Sequence, residues 1–179
     1  MTRAELQPFT LEPVRLEVGS EIFVEVQPVP AAAWVRAISG PYSAWLLSPG
    51  LLDQEDREVV LLNLASGILS AKDVQDATFS FLEEACGRKW YSAARLAGAS
   101  TRADILGELT LHGVDPHRVH LGPWVAAAYR ILTRNLDAKG VLKVDSQLEV
   151  PPAGWEDDWD SIDGFGDMVA KARSMTSTD

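Results

Sequence analysis

The sequence predicts a mainly α fold with an N-terminal β-hairpin, an α+β chain arranged as a bundle of short helices plus an acidic C-terminal tail. Three observations predict it. Residues 14–27 alternate apolar and polar side chains on both sides of a Gly-Ser pair, the period of two that belongs to strands. Between residues 31 and 140 the period changes to that of helices, punctuated by helix-start and helix-stop residues. Pro151-Pro152-Ala153-Gly154 then separates this body from a terminal stretch rich in acids. Two regions follow: residues 1–150 as a helical domain carrying the hairpin, and residues 151–179 as linker and acidic aromatic tail.

In the hairpin, Val14, Leu16 and Val18 share a face with Ile22, Val24 and Val26, while Glu17, Glu21 and Glu25 point outward. Gly19-Ser20 suits a two-residue type II′ turn with Gly at its first position. Pro28 and Pro30 end the second strand. An isolated ribbon needs support, and its open edges are templates for pairing. Leu16, Val18, Ile22 and Val24 are therefore the candidate residues of an edge that meets a partner or a second copy.

The helices follow in order. Ala31 to Ile38 begins after Pro30 and is broken by Gly40-Pro41. Tyr42 to Leu52 reads as a loop with many bulky residues. Asp53 with Asp56 starts a helix that Gly67 stops, and Ser70 with Asp73 starts another that Gly87 stops. Arg88 to Ala97 forms a short helix. Thr101 with Asp104 opens the next, ending at Gly113, and Gly122-Pro123 opens one with Trp124, Ala127, Ala128, Ile131 and Leu132 on one face. Val141 to Val150 is compatible with helix or strand.

Composition narrows the function. Hydrophobic residues make up 46% of the 179, enough for a packed core and too many for disorder throughout. No apolar run spans a bilayer, no secretory signal is visible, and the single Cys86 points to a reducing cytoplasm. Of the net charge of −10, residues 149–179 hold more than half, with eight acidic against two basic side chains. That sign repels phosphate backbones and anionic lipid, which argues against nucleic acid and membrane surfaces as partners.

Catalytic and metal signatures are sparse. His112, His117 and His120 are the one grouping with ligand-like spacing, yet no cysteine or compact carboxylate lies at matching intervals. Cys86 ends an apolar helical face, where a thiolate is disfavoured. Phosphate-loop, nucleophile-elbow and zinc-protease motifs are absent, and Asp157, Asp158, Asp160 and Asp163 lack the spacing of a calcium loop. The expectation is a chain without catalytic residues, metal or cofactor.

The tail carries the strongest binding signal. Trp155, Trp159 and Ile162 have helical spacing among the acids, and Phe165 follows them. Large aromatics contribute most to protein–protein contacts, so these four are the candidate partner-binding residues. The same aromatics also suit docking onto the chain's own domain.

This layout resembles tail assembly chaperones of long-tailed phages that infect actinobacteria. The resemblance is carried by Leu16 to Ala37, by the Leu51-Leu52-Asp53 helix start, and by Gln147-Leu148-Glu149-Val150-Pro151-Pro152 leading into the acidic end. It covers most of the chain as an order of features. It implies a non-catalytic late protein that binds the helical tape measure protein and aids assembly of the tail tube protein around it. It further implies oligomerisation through the N-terminal part, residence in the host cell cytoplasm and absence from the mature virion. Members of that family are often made in two lengths by ribosomal frameshifting. The competing readings are a structural virion component (neck, head-tail connector or tail-completion protein) and a small enzyme using the histidines or Cys86.

Overall fold

A computed structural model describes residues 12–152. Strand β1, Val14–Val18, pairs antiparallel with β2, Ile22–Val26, setting Val14 against Val26, Leu16 against Val24 and Val18 against Ile22. The six apolar residues share one face, as the alternation predicts, but the connection has three residues, Gly19 to Glu21, where the sequence suggested two. Physical consistency requires the extra residue. A two-residue turn would set Val18 against Glu21 and put the acidic row of one strand beside the apolar row of the other. Gly19 is required there on two counts: its φ is 69°, and a Cβ would come within 2.8 Å of Leu69 Cδ2.

The hairpin lies with its apolar face inward. Val18, Val24 and Val26 are buried, whereas Leu16 and Ile22 are half-buried. The outer edge of β2 is also engaged. Gln27 N–H donates to the Leu51 carbonyl at 2.8 Å, Val26 bridges Leu52, and Glu25 N–H donates to Asp56 Oδ2 at 2.6 Å.

Seven α-helices follow among the described residues: α1 Ala31–Ile38, α2 Gln54–Ser66, α3 Ala71–Cys86, α4 Trp90–Ala99, α5 Ala103–Leu111, α6 Leu121–Thr133 and α7 Ala138–Glu149. The mainly α fold with an N-terminal hairpin is therefore the observed one. Their starts follow local chemistry. Asp53 accepts from Asp56 N–H at 2.8 Å, and Ser70 with Asp73 forms a reciprocal capping box. Gly67 and Gly87 stop α2 and α3 in the left-handed conformation.

Several boundaries differ from expectation, among them α4, which runs two residues later than the predicted Arg88 to Ala97, and one open reading is decided. Thr101 does not cap α5: its hydroxyl turns back to the Gly98 carbonyl at 2.7 Å, and Arg102 occupies the cap position. Helix α6 starts at Leu121, one residue ahead of Gly122. The ambiguous stretch near 141–150 is helical, because the Asp137 side chain accepts from Gly140 N–H at 2.7 Å and nucleates α7.

Helix α3 is central, packing against β1, α4, α6 and a 3-10 turn at Tyr42–Ala44. The segment from Tyr42 to Leu52 is a core element more than a loop. Trp45, Leu46, Leu47, Leu51 and Leu52 are all buried. Trp45 donates its indole N–H to the Gly40 carbonyl at 2.9 Å and meets Phe79 and Trp90 edge-on, while those two stack at 3.9 Å. A second cluster gathers Ala31, Ile105, Leu109, Val119 and Trp124, and there Trp124 donates its indole N–H to Ser100 Oγ at 2.8 Å. At the far end, Tyr91 Oη donates to the Glu149 carbonyl and Arg95 donates to the carbonyls of Gln147 and Val150. These bonds satisfy the unpaired carbonyls that end α7. No described helix is long and apolar enough to cross a membrane.

Candidate functional site

Among the described residues, an apolar groove of about 330 Å³ opens where the hairpin end, α1, α3 and α6 meet. Its volume lies at the small end of the range of roughly 300–1000 Å³ seen for binding pockets. Trp34 of α1 and Phe81 of α3 stack at 5.0 Å between ring centroids, 16° apart, and form one wall. Val26 to Val29, the extended chain leaving β2, form the second. Leu121 to Pro123, the first turn of α6, form the third.

Backbone contact sets the α6 wall. A Cβ on Gly122 would overlap the Ala85 carbonyl oxygen, so glycine alone lets α6 touch α3 at that depth. From Gln27 to Val29 the extended wall offers no free main-chain donor. Gln27 N–H is bonded to Leu51, Pro28 has none, and Val29 N–H bonds the Gln27 carbonyl at 2.7 Å. Two exposed carboxylates, Glu12 and Glu84, edge the groove, and neither forms an ion pair with another described residue.

The residues singled out from sequence fall elsewhere. Trp155, Trp159, Ile162 and Phe165 lie outside the described residues. Of the hairpin residues, Val18 and Val24 have their side chains in the protein's own core, which leaves Leu16 and Ile22 partly accessible. At β2, any edge pairing would have to displace the bonds from Gln27 and Glu25.

The histidines occupy separate roles: His112 closes α5 at 3.9 Å from Glu108, His117 follows the Asp115 turn, and His120 precedes α6 and lines the groove. Among the described residues no three His, Cys, Asp or Glu side chains gather as a metal site. Burial pushes the Cys86 thiol up to about 11, against a smaller opposing effect of Arg88, so it stays protonated at neutral pH.

The groove was not foreseen. Its residues run from position 12 to 123 and converge only through packing of α1, α3 and α6. The one local signal was the proline pair Pro28 and Pro123, each at an element end beside apolar neighbours. Compared with protein families, curated proteins and solved structures, the chain matches none of them.

Proposed function

We propose that this chain is a non-catalytic tail assembly chaperone, which binds the tape measure protein of a long-tailed phage and aids tail tube assembly around it. The observation that carries the reading is the open apolar groove edged by Glu12 and Glu84 on an acidic chain. A holdase needs apolar surface that its client can reach, together with like charge that keeps its own copies apart. The order of hairpin, Ala/Trp helix, short helices and acidic end supports the assignment to phage tails. In this reading the protein acts in the host cytoplasm and leaves before the particle is complete.

Purification of a tagged full-length chain from infected cells tests it, paired with mass spectrometry of finished particles. The expected result is tape measure protein recovered with the chain, and none of the chain in particles. Stoichiometric presence in particles would overturn the proposal in favour of a structural component such as a neck or tail-completion protein.

A further inference from the structure

We infer that the groove takes the apolar face of an amphipathic helix from a partner protein, whose anchor residues are flanked by lysine or arginine. This rests on reading the groove as a protein-binding site and adds the chemistry of its occupant.

The wall that leaves β2 disfavours the alternative of strand addition. Strand addition needs main-chain donors and acceptors along an edge. From Gln27 to Val29 every N–H is either absent or already bonded. An incoming extended segment would find no main-chain donor there for its own carbonyls. A helix satisfies its backbone internally and presents only side chains, which the accessible parts of Phe81 and Pro123, backed by the buried Trp34 and Leu121, can receive.

Charge sets the flanks. Glu12 lies just ahead of β1 and Glu84 sits on the last turns of α3, so two carboxylates stand beside a mainly apolar lining whose other polar members are Gln27 and His120. A partner helix with acids beside its anchors would be repelled, whereas lysine or arginine would be attracted and oriented. The net charge of −10 extends that preference to the approach.

The test uses the full-length protein and two fluorescent helical peptides of about 18 residues, long enough for roughly 27 Å of helix. One is built of leucine and lysine, the other has glutamate for every lysine. Anisotropy should show the lysine peptide binding at least about tenfold more tightly, a difference of about 1.4 kcal/mol. Glu12→Lys combined with Glu84→Lys should weaken it by about tenfold or more. Ala85→Phe should do the same by filling the groove from an exposed position. Glu55→Lys with Glu58→Lys, an equal charge change on exposed residues of α2, should alter affinity by less than about twofold.

Equal loss from the two charge pairs would mean unspecific attraction and overturn the inference. So would unchanged binding in the Glu12/Glu84 pair, which probes the groove without touching the core. Phe9→Ser raising affinity by about tenfold would make residues 1–11 the occupant, and Ala85→Phe turning a dimer into a monomer would make it a second copy; either result overturns the inference. Peptide binding alongside failure to recover tape measure protein would remove the phage assignment and leave the groove chemistry standing.

Discussion

Two glycines and one serine test the packing at the scale of single residues. Gly122 carries the contact between α6 and α3, and a methyl group there has only the Ala85 backbone to displace. Gly122→Ala should destabilise the protein by about 2 kcal/mol, read as a lower urea midpoint, because backbone cannot rotate away as a side chain can. Gly19→Ala should cost a similar amount, about 1–3 kcal/mol, through its positive φ and the buried Leu69 it would meet. Ser100 shows the opposite kind of loss. Its hydroxyl accepts from Trp124 and donates to the Ala97 carbonyl at 2.6 Å, so Ser100→Ala strands a buried indole N–H at about 1–3 kcal/mol.

Individual elements respond through their ends. The Ser70 N–H bonded to Asp73, followed by the Ser70 hydroxyl, holds the Asp73 carboxyl below its usual value of 3.8. A depressed folded value means the stabilisation is complete above the ordinary carboxylate range and is lost as pH falls through the folded value. Wild type should therefore exceed Asp73→Asn by about 1 kcal/mol near neutrality, and the gap should close below about pH 4 in urea titrations at stepped pH. A gap independent of pH would mean that the capping box contributes nothing through ionisation. At the other end, Arg95→Ala should free the last carbonyls of α7 and speed amide exchange there by about tenfold, with α3 unchanged.

The elements also show how far the sequence could be read. Strand alternation and the glycine-stopped helices were legible because both depend on neighbours within four residues, as at Ser70, Asp73 and Gly87. The hairpin loop was misjudged by one residue because turn preference pointed to Gly19-Ser20 while the burial of Val18 and Val24 decided the register. Thr101 was read as a cap because its side chain suits one, but the Gly98 carbonyl captured its hydroxyl. Trp45, Leu46 and Leu47 looked like loop residues because no period marks them, and distant partners such as Phe79 and Trp90, which Trp45 meets from more than thirty positions away, make that segment core. The groove was illegible for the same reason.

At the scale of the whole molecule, the described residues form a packed body, and more than half of the net charge belongs to the sequence from residue 149 onward. Described residues 12–152 include continuous hydrophobic clusters and the bonds from Tyr91 and Arg95 that hold the chain at its exit. Removing residues 155–179 should therefore leave the thermal transition of the body within a few degrees of full length, and should weaken partner binding. A body that unfolds on deletion would place Trp155, Trp159 and Phe165 in its core and end their assignment as docking residues.

The proposed role of the groove is to hold a helical client in solution. Its most direct test is the soluble fraction of the tape measure protein when co-expressed with the full-length chain. The client should be largely soluble with the wild-type chain and largely insoluble with Ala85→Phe. A client that stays insoluble beside the wild-type chain would contradict the proposed function, and equal rescue by Ala85→Phe would contradict the groove as its site.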